Sequence, residues 1–152
     1  MNETPLFKQF LVSSNTLWAY KGDKLLFISS KHGLQPLFEY VDKGAPFQGK
    51  IKIFDRVVGN AAALLMVKAK CKEIYSPLAS EFALKTLHHY NIQYHIHNTT
   101  PYIQNREGED MCPMEKLSLD KNPEEFYTAA RPLFYRPTGK PKAGDRTQGT
   151  KH

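Results

Sequence analysis

Residues 55–67 read DRVVGNAAALLMV, a run that is apolar from Val57 onward except at Gly59 and Asn60. Asp55 belongs to a residue type that caps helix N-termini, so we predict a helix from Val57 to residue 67 with Asp55 as its cap. A helix that is apolar on all sides is buried on most of them. Asn60 then needs a partner inside the protein, since an unpaired buried amide costs about 1–3 kcal/mol.

Shorter periodic segments flank this helix and alternate between helical and extended patterns. They predict a helix over residues 4–14, a hairpin of strands Leu17–Tyr20 and Lys24–Ser29, helical turns over Pro36–Val41, a strand Glu73–Ser76, a helix Ala79–Tyr90 stopped by Asn91, and a strand Gln93–His97. This order predicts an α/β fold with a mixed sheet, arranged as a three-layer α/β/α sandwich whose later strands are parallel.

The chain divides into three parts by composition. We expect residues 1–120 to form the globular domain. Residues 121–136 are expected to form a short helical and aromatic extension, because Asn122 and Pro123 are typical of a helix cap and a first helical position. Residues 137–152 contain many Pro, Gly and basic residues and few apolar ones, so we expect a disordered basic tail.

The net charge of +6 is unevenly distributed over the 152 residues. Residues 121–152 hold 7 Lys and Arg against 3 Asp and Glu, whereas residues 1–120 hold 14 against 12. A folded surface that binds nucleic acid usually carries a basic patch, so this nearly neutral body argues against a nucleic-acid partner.

Other sequence features narrow the class of protein further. No apolar run reaches the roughly 20 residues that span a bilayer, which argues against a membrane partner. The two cysteines are too few for a disulfide scaffold, and the N-terminus lacks the pattern of a secretory signal. We therefore expect a cytoplasmic protein, and the sequence leaves its oligomeric state open.

Four segments of the chain form a specific pattern when they occur in this order. They are residues 55–65, DRVVGNAAALL; residues 80–84, SEFAL; the pair Asn105-Arg106; and residues 111–115, MCPME. In this combination the chain resembles an uncharacterised prokaryotic family, a domain of unknown function with a cytidine-deaminase-like fold that lacks the zinc motifs. The resemblance covers roughly residues 4–118, and it implies a sandwich of the cytidine-deaminase type.

The usual chemistry of that fold is missing from the sequence. A zinc deaminase carries an H-x-E motif at the start of the first buried helix and P-C-x-x-C at the start of the next. Here those places hold residues 55–58, DRVV, and residues 76–80, SPLAS, and the chain contains no C-x-x-C. Without thiolate or imidazole ligands no tight zinc site forms, and no bound water is activated. We expect no metal, no cofactor and no zinc-dependent deamination.

A ligand pocket remains possible in such a fold without its metal. Ligands of open α/β sheets bind at the carboxyl ends of strands, beside helix N-termini whose free N–H groups suit phosphate. We therefore expect a nucleotide or a nucleotide-like small molecule as the partner. The residues expected to contact it are Asp55, Gly59, Asn60, Ser76, Ser80, Glu81, Asn105 and Arg106.

Several alternatives stay open at this point. The serines at positions 76 and 80 are equally typical of helix caps, and Gly59 and Asn60 of helix packing. Cys112 is a candidate nucleophile and Glu115 a candidate general base, which would make the protein a zinc-independent enzyme with catalytic residues in the same cleft. Cys112 is also typical of a buried structural cysteine. A third possibility is a protein-interaction module whose pocket is vestigial.

Overall fold

Five strands form one mixed sheet and six helices pack on it in the computed structural model, which describes residues 4–44, 49–105 and 107–134. The helices are α1 (Pro5–Val12), α2 (Gln35–Gly44), α3 (Asn60–Lys68), α4 (Glu81–His89), α5 (Pro113–Ser118) and α6 (Pro123–Phe134). The strands are β1 (Leu17–Lys21), β2 (Lys24–Ser29), β3 (Ile51–Asp55), β4 (Cys71–Ser80) and β5 (Gln93–Thr100). The predicted α/β class with a mixed sheet is therefore confirmed.

The strands lie in the order β2-β1-β3-β4-β5. β1 pairs antiparallel with both β2 and β3, whereas β3, β4 and β5 run parallel, as predicted for the later strands. Leu17 lies opposite Asp55, and Ser80 lies opposite Thr100. The start of β1 and the carboxyl ends of the three parallel strands therefore share one edge of the sheet.

β3 is the element that the sequence pattern failed to predict. It is a short central strand, and an apolar run follows it almost directly. The pattern of apolar residues therefore does not show where the strand ends. Asp55 ends this strand, so the prediction that Asp55 caps the next helix is wrong. Val58 continues the sheet pairing, since its amide donates to Leu78 O at 2.9 Å and its carbonyl accepts from the Ser80 amide at 3.0 Å. The helix begins only at Asn60.

Two further strands are longer than predicted. β4 continues past Pro77 to Ser80, and β5 continues past His97 to Thr100. Pro77 has no amide to donate, and its neighbours Ser76 and Leu78 carry the pairing on either side of it. The proline therefore interrupts the ladder at one position without ending the strand.

The two faces of the sheet bury different side chains, because successive residues of a strand point to opposite faces. On one face α1 contributes to an aromatic cluster, whose buried members are Phe7, Phe10, Trp18, Phe54 and Tyr75. The opposite face carries Leu17, Ala19 and Ile53 into a larger cluster with α3, which also includes residues of α2, α4 and α6. Helices thus cover both faces of the sheet.

The predicted helix start after residue 121 is confirmed. Asn122 and Glu125 form a reciprocal capping box, in which the Glu125 amide donates to Asn122 Oδ1 at 2.8 Å and the Asn122 amide donates to Glu125 Oε1 at 2.9 Å. α6 buries Phe126 and Ala130 completely in the larger cluster. The predicted disordered tail, residues 137–152, lies outside the described residues, and the division of the chain at residues 120 and 136 stays a prediction. None of the helices that the structure describes is both long and apolar enough to cross a membrane.

Candidate functional site

A cavity of about 510 Å³ opens at the sheet edge where β3 ends and the strand direction reverses, here termed the switch-point cavity. Small-molecule sites are commonly 300–1,000 Å³, and in open α/β sheets they lie outside the carboxyl ends of the strands. The walls come from the loop after α1, the loop before α2, the β3–α3 connection and the chain between β5 and α5. The ionisable side chains in the lining are His32, Asp55, Arg56, Cys112 and Glu115.

The Asp55 carboxyl lies in the wall formed by the end of β3. Its Oδ1 accepts a hydrogen bond from the Arg56 amide at 2.8 Å. Burial raises the pKa of Asp55 to about 8, although hydrogen bonds from the amides of Arg56 and Val57 and the charge of Arg56 act in the opposite direction. The carboxyl is therefore largely protonated at neutral pH, and it can donate as well as accept a hydrogen bond.

The Arg56 side chain is a tether and not a free cation. Its Nη2 donates to Phe10 O at 2.8 Å and to Ser13 O at 2.7 Å, its Nη1 to Leu11 O at 3.2 Å and its Nε to Asn15 O at 2.9 Å. These carbonyls belong to the last turn of α1 and the loop after it, where a cation also complements the helix dipole. Arg56 thereby fixes the cavity wall that this loop forms.

Glu115 joins two other walls of the cavity. Its Oε1 accepts from the Asn60 amide at 2.6 Å, and its Oε2 accepts from the Ile103 amide at 3.0 Å. Glu115 is 2 % exposed, and its bond to the Asn60 amide is buried, whereas its bond to the Ile103 amide is half-buried. The carboxylate satisfies the first amide of α3 and holds the chain after β5 against it, which indicates a structural clasp more directly than a general base.

Gly59 has a steric reason to be glycine. A Cβ at this position would lie 2.7 Å from Glu115 Oε1 and 2.9 Å from Ile103 Cγ1, closer than real Cβ contacts allow. The group that approaches Gly59 closely is thus a carboxylate of the same chain, and the predicted contact of Gly59 with a ligand stays a prediction.

The Asn60 side chain is fully used inside the protein. Its Nδ2 donates to Ser118 Oγ at 3.0 Å and to Ser118 O at 3.3 Å, and its Oδ1 accepts from the Thr86 hydroxyl. Asn60 is 6 % exposed and connects α3 with α4 and α5. The partner that the sequence required is present, and Asn60 does not line the cavity.

Cys112 lies in the cavity wall at the N-cap position of α5, and it is half-buried. Its amide donates to Ile103 O at 2.7 Å, so the residue closes the loop that begins after β5. His32 lines the same cavity from the loop before α2. The structure thus places a thiol, an imidazole and the Asp55 carboxyl around one space.

Four of the other predicted contact residues lie away from the cavity lining. Ser76 is buried within β4, where its hydroxyl bonds locally to the backbone of Leu78, and it does not cap a helix. Ser80 caps α4, with its Oγ accepting from the Ala83 amide at 3.1 Å. Glu81 is exposed in the first turn of that helix, and Asn105 shapes a turn by accepting from the Glu109 amide. Arg106 lies outside the described residues.

The sequence reasoning missed the residues that other loops bring to the cavity. They include His32, Thr16 and Ile103. Each lies in a loop without periodicity, and none belongs to a recognisable motif. Asn15 also lines the cavity, and its position in the sequence gave some indication of its role. It lies three positions before the single tryptophan, and Trp18 Nε1 donates to Asn15 Oδ1 at 2.8 Å.

No three His, Cys, Asp or Glu side chains are arranged to hold a metal ion within residues 4–44, 49–105 and 107–134. The fold and the cavity define an α/β domain with a candidate small-molecule site at its switch point.

A family model described as TM1506, domain of unknown function DUF1893, matches residues 7–132. The chain therefore belongs to the DUF1893 family. It is similar to the crystal structure of a DUF1893 family protein, TM1506, from Thermotoga maritima, with a TM-score of 0.76 and 31 % sequence identity over 83 % of this chain and 85 % of that one. No curated protein matches the chain.

Proposed function

We propose that the switch-point cavity binds a small molecule of nucleoside or nucleotide type. One observation carries this proposal: a cavity of about 510 Å³ lies at the carboxyl end of β3, where the sheet reverses direction. Ligands of open α/β sheets bind at this position because loops diverge there and helix N-termini point inward. The DUF1893 family is described as a domain of unknown function, so membership of the family does not itself indicate a ligand.

The chemistry of the lining supports a heterocyclic ligand. Val57, Ile103 and Met114 supply apolar walls suited to the faces of a planar ring. The Asp55 carboxyl, protonated at neutral pH, offers a hydroxyl donor at the edge of such a ring. The ring nitrogens and carbonyl oxygens of nucleobases can accept such a hydrogen bond.

We also propose that the architecture is a three-layer sandwich of the cytidine-deaminase type without its zinc site. The order of a hairpin, a buried helix, a strand, a helix and a strand supports this assignment, as does the presence of helices on both faces of the sheet. We propose a cytoplasmic location, which is consistent with Cys71 and Cys112 being unpaired thiols.

Calorimetric titration tests the proposed ligand class. The purified protein is titrated with nucleosides and their 5′-monophosphates, each up to millimolar concentration. Val57→Trp places an indole at the cavity, and Leu25→Trp is the matched control on β2, since both residues are 43 % exposed. We expect at least one compound to bind, Val57→Trp to weaken it at least tenfold and Leu25→Trp to leave it unchanged. Failure of every compound, or equal loss in both variants, contradicts the proposal.

A zinc-independent enzyme is the second candidate, because Cys112, His32 and Asp55 line the same cavity. The nucleophile of such an enzyme would be Cys112. Glu115 suits the role of general base poorly, since both of its oxygens already accept backbone hydrogen bonds.

Alkylation by iodoacetamide tests this candidate with an internal control. Cys71 is buried, and burial raises the pKa of its thiol to about 12, so Cys71 is expected to be inert in the folded protein. A nucleophilic Cys112 is expected to react faster than the same residue in urea-unfolded protein. A rate at or below that of the unfolded chain contradicts the enzyme interpretation.

A further inference from the structure

The N-terminus of α3 already holds an anion that comes from the chain itself. The Asn60 amide lies 2.6 Å from Glu115 Oε1, and the Ile103 amide lies 3.0 Å from Glu115 Oε2. Helix N-termini attract phosphate because their first amides are unpaired and the helix dipole is positive there. At this helix, the carboxylate of Glu115 takes that position beside the cavity.

The fit around this carboxylate is close. Glu115 Oε1 approaches the backbone of Gly59 so nearly that even a methyl group there would lie 2.7 Å from it. The carboxylate therefore occupies the space directly before the helix, and a ligand phosphate cannot share it without displacing Glu115.

Buried hydrogen bonds resist such a displacement. The Ser118 hydroxyl donates to the Glu115 carbonyl at 2.7 Å and accepts from Asn60 Nδ2 at 3.0 Å. The Thr86 hydroxyl donates to the side-chain oxygen of Asn60, Oδ1. The helix that carries Glu115 is thus fixed to α3 and, through Asn60, to α4.

The lining that the structure describes offers no spare guanidinium for a phosphate. Arg56 donates to four backbone carbonyls of α1 and the following loop. An anionic group placed against this wall of the cavity would face the Glu115 carboxylate, and like charges repel.

We propose that the switch-point cavity rejects anionic groups, so that its ligand is an uncharged or cationic nucleoside-like molecule and not a phosphorylated one. This inference rests on the proposed function and specifies its ligand class. Glu115 is the specificity-determining residue, because it fills the helix terminus that a phosphate would otherwise use.

Paired titrations measure the preference directly. For each base, the wild-type protein is titrated with the nucleoside and with its 5′-monophosphate. We expect the nucleoside to bind at least tenfold more tightly. The near-isosteric Glu115→Gln is expected to reduce this ratio at least threefold, because it removes the negative charge. Glu125→Ala, which removes a carboxylate from the N-terminus of the distant α6, is expected to leave the ratio unchanged.

Anion rescue tests the same inference without any nucleoside. Glu115→Ala empties the position before α3, and a small anion can then replace the lost carboxylate. We expect sodium formate and inorganic phosphate to raise the Tm of this variant by about 2 °C or more beyond the rise that each salt gives wild type at equal concentration. Phosphate stabilises folded proteins in general, so wild type and Glu125→Ala supply the baseline. Neutral formamide is not expected to raise the Tm of any of the three. If Glu115→Ala does not fold, the same comparison is made with Glu115→Ser, which also empties this position.

The outcomes separate the two proposals. A nucleotide that binds wild type more tightly than its nucleoside supports the proposed function and overturns this inference. Failure of every nucleoside and nucleotide contradicts the proposed function, and the rescue assay then decides the inference alone. Rescue confined to the Glu115 variant supports it, whereas absence of rescue or equal stabilisation of wild type by phosphate overturns it.

Discussion

The two strand-to-helix junctions at the carboxyl edge of the sheet are built in different ways. At the β4–α4 junction the strand ends at Ser80 and the helix begins at the next residue, with the Ser80 hydroxyl capping it through the Ala83 amide. At the β3–α3 junction residues 56–59 separate strand from helix. There the first helical amide is satisfied by Glu115, which lies 55 residues further along the chain.

The difference shows how a cavity arises at one junction and not at the other. A cap that lies next to its helix closes the junction within residues 80–83 and needs no other segment. A cap from a distant residue brings its own segment over the helix end, and this segment supplies Ile103 and Cys112 to the cavity wall. The long-range junction thus combines helix capping with the formation of a binding site.

Removal of the distant cap is expected to have the largest effect. Glu115→Ala leaves the amides of Asn60 and Ile103 without acceptors in a buried place, at about 1–3 kcal/mol each. We expect a loss of about 3 kcal/mol or more in the free energy of unfolding, measured by urea denaturation. A loss no larger than that of Ser80→Ala would mean that the two junctions are equivalent.

The second prediction concerns pH at the β3–α3 junction. The pKa of Asp55 is about 8 in the folded protein against 3.8 for an unperturbed Asp, so the folded state holds a proton that the unfolded state releases between these values. The contribution of Asp55 to stability is therefore lost as pH rises from about 4 to 8. Asp55→Asn removes this dependence, and we expect its stability relative to wild type to increase by about 2 kcal/mol between pH 5 and pH 8.

Asp110→Asn is the control for this pH dependence. Asp110 is exposed, and its hydrogen bond and ion pair with Lys116 lower its pKa. The contribution of Asp110 to stability therefore changes at acidic pH, where it is lost as the pH falls, opposite in sign to that of Asp55. An Asp55→Asn difference that stays constant from pH 5 to pH 8 would contradict a protonated Asp55 carboxyl in the folded protein. Urea denaturation at both pH values provides the measurement.

The third prediction tests the close approach at the distant cap. Gly59→Ala forces its new methyl group against Glu115 and Ile103, and we expect it to destabilise the protein by about 1–3 kcal/mol. In a Glu115→Ala background the clash with the carboxylate is gone, so the same substitution is expected to cost less. Additive effects in this double-mutant cycle would argue against the contact.

The smallest effect is expected at the local junction. Ser80→Ala removes one capping hydrogen bond, and we expect a loss of about 1 kcal/mol. Ser80→Asp retains a capping oxygen but adds bulk and charge at a fully buried position, whereas Ser80→Thr retains the hydroxyl and is expected to recover part of the loss. Recovery is measured in the same urea titration.

The two junctions also differ in how far the sequence predicts them. Ser80 could be identified as a cap because a cap and the amide it binds lie within four residues of each other. Asn91, predicted to end the helix after β4, has the left-handed φ of 61° that such a residue tolerates. Both features follow from residue type and local spacing.

The β3–α3 junction could not be read in the same way. The sequence pattern does not separate β3 from the apolar run after it. Asp55 is compatible with a helix cap as well as with a strand end. Asn60 was correctly expected to need a partner, but the fold alone brings Ser118, Thr86 and Glu115 to it. Candidate residues Ser76 and Ser80 were chosen for their hydroxyls, and backbone groups of their own neighbourhood use those hydroxyls instead.

The tether made by Arg56 has a consequence for the order in which the chain folds. Its guanidinium binds carbonyls that precede it by 41 to 46 residues. During synthesis on the ribosome, the first helix therefore emerges before the side chain that fastens its end. The amino-terminal segment is made first, yet the last turn of its helix gains these hydrogen bonds only after residue 56 has been added.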